Sequence, residues 1–115
     1  MRGVKRSDRV AGRMQEELAA AIRGLRDPRA AGVLVSRVEV TDDLQSAKVF
    51  VRLEQGDVKP ALKALDNAAG KLRHDVAQAL QLRYAPTLRF YYDEAPDAVT
   101  RIEELLREVK RDGGG

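Results

Sequence analysis

Arginine and lysine recur in three stretches of this sequence whose spacing suits the binding of phosphate groups. The first holds Lys5, Arg6, Arg9 and Arg13, the second Lys71 and Arg73, the third Arg83 and Arg89. A guanidinium group presents N–H donors in a plane that matches two phosphate oxygens, and the same plane stacks on unpaired bases. Lys71 and Arg73 follow Gly70, where a helix starts anew, and first-turn N–H groups of a helix attract anions. Each stretch also has a plainer explanation as solvated charge on an amphipathic helix, and Tyr84 reads as an aromatic at the edge of the core. Catalytic groupings are absent by comparison. His74 and Asp75 are neighbours in sequence, so on a helix they point about 100° apart. Asp93-Glu94 reads as a capping pair between a strand and a helix, and Gly70-Lys71 lacks the upstream glycines of a phosphate-binding loop. With no acid, base and nucleophile brought together, no enzyme is expected.

Composition narrows the field further. The chain has 115 residues, 43% hydrophobic and 34% charged, which suits one folded domain. We expect a single domain over 1–115 with its core at about 6–109, and a flexible start (1–6) and glycine-rich tail (112–115). Cysteine is absent and histidine occurs once, so no disulfide, metal site or cofactor is expected. No apolar run approaches the length of a membrane span and no secretory leader is legible, so the expectation is a cytoplasmic protein without membrane contact. The formal charge is +3, but it is unevenly placed: residues 1–29 carry +4, 30–58 carry −2, 59–89 carry +4 and 90–115 carry −3. Such alternation allows a polarised surface that steers phosphates.

The elements that position these residues follow from periodicity. Val10, Met14, Leu18, Ala21, Ile22 and Leu25 form one helical stripe behind Ser7, a suitable cap. Val33 to Thr41 and Ser46 to Leu53 read as two strands joined through Thr41-Asp42-Asp43, an antiparallel hairpin. In the first strand, Leu34, Ser36, Val38 and Val40 share one parity. Pro60 opens a second helix whose apolar residues are Leu62, Leu65, Ala69, Leu72, Val76 and Leu80. Gly70 in its middle costs about 1 kcal/mol relative to alanine, so a kink or close backbone approach is expected there. Leu88 to Tyr92 reads as a third strand, with Phe90 and Tyr92 inward and Tyr91 outward. A last helix from Pro96-Asp97 carries Ile102, Leu105, Leu106 and Val109. The predicted architecture is an α+β two-layer sandwich with helices on one face of a three-stranded sheet and the other face partly open. The five aromatics are too scattered in sequence for a base-stacking platform.

The order α-β-β-α-kink-α-β-α is similar to the type II KH fold. Where a KH domain has its GXXG loop, this sequence has Asn67-Ala68-Ala69-Gly70-Lys71-Leu72-Arg73, keeping Ala68 and Gly70 of an Ala-x-Gly kink without the first glycine. That departure narrows the resemblance to the bacterial ribosome-binding factor A family. It is carried by Arg6-Ser7-Asp8-Arg9-Val10, by Val38 to Val51 with its Asp-Leu and Ala-Lys-Val pieces, by the kink, and by Leu82-Arg83-Tyr84-Ala85-Pro86-Thr87-Leu88-Arg89-Phe90-Tyr91-Tyr92-Asp93. Together these span most of residues 6–106.

The resemblance implies a non-enzymatic factor that binds the immature small (30S) ribosomal subunit and assists late maturation of 16S rRNA near its 5′ end, above all in the cold. It also implies a link to ribosome-assembly GTPases. A monomer is expected. The residues expected to touch RNA are Lys5, Arg6, Arg9, Arg13, Lys71, Arg73, Arg83 and Arg89. Two rivals remain: a generic KH-like single-stranded RNA binder, and a protein-interaction module using Phe50 and Tyr91 on the open sheet face.

Overall fold

Met14, Leu18 and Ile22 repeat at fours along a helix and are all buried, the seam by which the first helix joins the sheet. The computed structural model describes residues 6–94, so the expected last helix, Lys5 and the glycine-rich tail lie outside the described residues. Six principal elements follow in order: α1 (Arg6–Arg23), β1 (Val33–Val40), β2 (Ser46–Leu53), α2 (Val58–Asn67), α3 (Ala69–Ala79) and β3 (Thr87–Tyr92). A single 3₁₀ turn, Pro28–Ala30, precedes β1. This is the type II KH-like α+β arrangement expected from the sequence.

The sheet is mixed, in the order β1-β2-β3. β1 and β2 pair antiparallel, and β3 returns through α2 and α3 to pair parallel with β2. A parallel partner needs such a crossover, which the two helices provide. Their inner sides bury Ala61, Ala64, Leu65, Leu72 and Val76 against Val38, Val49, Val51, Leu88 and Phe90 of the sheet. Each large apolar side chain so buried contributes about 1.5–3 kcal/mol. Gly32 is fixed by a close approach, because a Cβ there would sit 2.7 Å from the Gln55 carbonyl oxygen.

β1 departs from the even alternation expected. Val33 is buried and Leu34 is 48% exposed, yet Val38 is buried four residues after Leu34. The cause is a bulge. The pairing register shifts between Val35 and Arg37, so Ser36 is an extra residue and the parity inverts across it. The Ser36 hydroxyl lies 2.6 Å from Oδ2 of Asp93 and 3.1 Å from the Phe50 carbonyl oxygen. The Gln15 amide of α1 donates at 3.3 Å to the carbonyls of Val35 and Ser36. The helix start that Asp93 was expected to cap lies outside the described residues; Asp93 itself is 7% exposed. It is a latch across the sheet, and its own N–H donates to the Val51 carbonyl at 2.8 Å.

The helical break falls at Ala68, one of the two residues expected at the kink, and not at Gly70. The residue between α2 and α3 is Ala68, with φ −92° and ψ 0°, and its N–H reaches back to the Ala64 and Leu65 carbonyls. Gly70 lies inside the first turn of α3, where an added Cβ would meet nothing within 4 Å. No backbone approaches it closely.

Candidate nucleic-acid interface

Ser7 is buried, and its hydroxyl donates to Oδ1 of Asp42 at 3.2 Å. Instead of capping α1, as its type suggested, it ties the start of that helix to the β1–β2 turn. The turn itself is held by Asp43, whose carboxylate accepts from the Thr41 hydroxyl at 2.6 Å and the Gln45 N–H at 3.0 Å. These bonds, the Thr41 hydroxyl foremost, hold the Asp43 carboxyl below its ordinary range. Leu44 at the tip takes φ 61°, a left-handed conformation rare for a residue with a side chain.

That turn, the start of α1 and the loop after α3 enclose a hollow of about 250 Å³, lined by Arg6, Asp43, Leu44, Gln45, Leu82, Arg83 and Tyr84. Arg6 and Arg83 are far apart in sequence and meet here. Tyr84 is 60% exposed rather than sitting at the core edge, and the Arg83 guanidinium carbon lies 5.5 Å from its ring centre. Arg9 and Arg13 are exposed farther along α1. The group combines cations with an accessible ring, which is chemistry suited to phosphates and unpaired bases.

The other expected contacts are distributed differently. Lys71 is exposed at the start of α3, where its ammonium donates to Oδ2 of Asp75 at 2.8 Å. Asp75 thus pairs one turn back and not with His74. The Arg73 guanidinium is turned to the loop before β3: its Nε–H donates to the Pro86 carbonyl at 2.9 Å and a terminal N–H to the Ala85 carbonyl at 3.2 Å. Arg73 therefore supports the segment that carries Arg83 and Tyr84. Arg89 stands on the outward face of β3, beside Lys48 in the register. That is the opposite side of the sheet from the helices. Among the described residues no group of acidic, histidine or cysteine side chains is placed to hold a metal ion, and no helix is long and apolar enough to cross a membrane.

Sequence comparison bears on what such a surface serves. The sequence model of ribosome-binding factor A matches residues 6–106. The chain belongs to the ribosome-binding factor A family. A ribosome-binding factor A of Sorangium cellulosum is 61% identical over 117 aligned residues, covering 97% of this chain and 94% of the relative. The crystal structure of ribosome-binding factor A from Thermus thermophilus superposes with a TM-score of 0.70 at 27% identity, covering 75% of this chain and 94% of that one. A second set of Thermus thermophilus coordinates, a homology model fitted into a cryo-EM map of a 30S–RbfA complex, gives a TM-score of 0.64 at 28% identity, with coverage of 73% and 91%. Ribosome-binding factors are a class not known as enzymes.

Two features of the surface were not legible in the sequence. One is the placement of Arg6 and Arg83 around one hollow, beside the Ser7–Asp42 tie. The other is a row of three side chains across the open sheet face, Arg37, Phe50 and Tyr91. Phe50 and Tyr91 were already expected on the open face; what was missing is the strand register that aligns them with Arg37.

Proposed function

We propose that this chain binds the immature small (30S) ribosomal subunit through the surface formed by Arg6, Arg9, Arg13 and Arg83, and assists late maturation of 16S rRNA near its 5′ end. The observation that carries this reading is the hollow shared by Arg6 and Arg83, extended along α1 by exposed Arg9 and Arg13. Family membership and the 30S complex of the Thermus thermophilus relative support it. Lys5 adds to the same basic start, and Lys71 adds charge at the head of α3. Arg73 holds the loop in place.

The action is differential binding without catalysis or cofactor. The factor holds one arrangement of the immature particle and loses affinity when RNA rearrangement or an assembly GTPase alters that arrangement. The benefit is greatest in the cold, where misfolded RNA helices escape slowly. The protein works as a cytoplasmic monomer.

Charge reversal tests the reading. The variant Arg6→Glu/Arg9→Glu/Arg13→Glu should bind purified immature small subunits more weakly. Each lost phosphate contact should lower the salt slope of binding by about 0.7–0.9. Stability should change by only about 0.5 kcal/mol per site, since these side chains are exposed. Equal affinity and equal salt slope in the variant and the parent would refute the assignment.

A further inference from the structure

The face of the sheet turned away from the helices is both basic and aromatic. In the register, Arg37 of β1 stands opposite Phe50 of β2, which stands opposite Tyr91 of β3. The Arg37 guanidinium carbon lies 4.0 Å from the centre of the Phe50 ring. The Phe50 and Tyr91 rings are stacked, with centres 5.6 Å apart and planes 29° from parallel. One row thus crosses all three strands and ends at Tyr91, 39% exposed on an edge strand.

The next row is charged. Glu39, Lys48 and Arg89 align across the same face, and Glu39 is paired with Arg37 at 3.0 Å. Among the described residues neither Lys48 nor Arg89 is within ion-pair distance of a carboxylate. Both line a hollow of about 290 Å³ bounded on its other side by Glu39, Thr41 and Ser46.

We propose that this face binds an unpaired stretch of RNA, separately from the surface of α1. A base continues the stack on Tyr91, and its sugar-phosphate lies against Lys48 and Arg89. The choice of RNA follows from the chemistry. Every base has a face that stacks on an aromatic ring, and the cations beside the row supply the attraction for phosphate. The inference takes the polymer from the function proposed above but uses none of its residues. The protein would then hold structured RNA on its helical side and a single strand on its sheet side.

The test uses the full chain and a uridine octanucleotide, with binding followed by anisotropy and contacts mapped by ultraviolet cross-linking and mass spectrometry. We expect cross-links at Tyr91, retained in Arg9→Glu/Arg13→Glu. Tyr91→Ala should weaken binding about 5- to 150-fold, the range for loss of one stacked base. Tyr91→Leu keeps an apolar neighbour for Phe50 and guards against misfolding; it should lose affinity in the same sense. Lys48→Glu/Arg89→Glu should lower the salt slope by roughly 1.4. Parent-like affinity in Tyr91→Leu overturns the proposal, as do cross-links confined to Tyr84, or a concentration-dependent mass increase that Tyr91→Ala abolishes. Failure of the α1 surface would show instead as unchanged small-subunit binding in the Arg6, Arg9 and Arg13 variant, so the two outcomes are separable.

Discussion

Replacing Ser36 by alanine removes a single oxygen at the bulge of β1, and the structure fixes what that costs. The hydroxyl has one proton and two acceptors, the Asp93 carboxylate at 2.6 Å and the Phe50 carbonyl at 3.1 Å. The shorter distance and the negative charge assign the proton to Asp93. A hydrogen bond to a charged, buried group contributes about 1.5–3 kcal/mol net. At this chain length 1 kcal/mol corresponds to about 4 °C, so Ser36→Ala should melt about 6–12 °C lower. Urea titration followed by circular dichroism should show the same loss with an unchanged dependence on denaturant. Ser36→Thr keeps the hydroxyl and should stay within about 1 kcal/mol of the parent. A second readout is local. The bulge turns Arg37 onto Phe50, so the ring-current shift of the Arg37 side chain should diminish in the alanine variant and persist in the threonine variant. A loss below about 0.5 kcal/mol, or equal losses in both variants, would refute the latch.

Other positions give sharper or opposite signs. Gly70→Ala should stabilise the protein by up to about 1 kcal/mol in the same urea titration, because Gly70 is helical and has open space around it; a loss of stability would show that the space is not there. Arg73→Met should cost about 1–2 kcal/mol by leaving the Ala85 and Pro86 carbonyls without their donor, while the salt slope of small-subunit binding stays as in the parent. A slope reduced by about one would mean that Arg73 contacts phosphate itself. Asp43 is held below its ordinary value of 3.8 by the Thr41 hydroxyl and the Gln45 N–H. Its contribution is therefore complete above pH 3.8 and is lost as pH falls through the lower folded-state value. Carboxyl chemical shifts of Asp43 followed through acid titration should give a midpoint under 3.8 that rises in Thr41→Val.

The elements themselves were legible because their patterns are long. Five apolar positions at helical spacing, Val10 to Ile22, specify α1, and the alternation of Ala47, Val49, Val51 and Leu53 specifies β2 and its inward face. Wherever one residue decided the geometry, local pattern misled. An extra residue at Ser36 inverts parity without leaving a mark in composition, so Leu34 read as inward and is exposed. Ser7 and Asp93 are residue types common in caps, and only the tertiary structure shows each bonded to a distant partner, Asp42 and Ser36. Of the two residues expected at the kink, Ala68 supplies the break and Gly70 lies within α3. Of the basic residues, Arg6 and Arg83 line one hollow, and Arg9 and Arg13 are exposed along α1. Arg89 falls on the other side of the sheet because β3 places it outward. Phe50 and Tyr91, far apart in sequence, are brought together by strand register, which cannot be read before the pairing is known.

The parallel pairing of β3 with β2 sets an order on the birth of this protein. Between the end of β2 at Leu53 and the start of β3 at Thr87 lie 33 residues, which take roughly 2–7 s to synthesise at usual speeds. During that interval the central strand has only its hairpin partner, and its other edge offers bare amide and carbonyl groups to any extended chain nearby. That edge stays unpaired until the final strand slots in, so an interruption before β3 is made leaves the sheet open to misassembly.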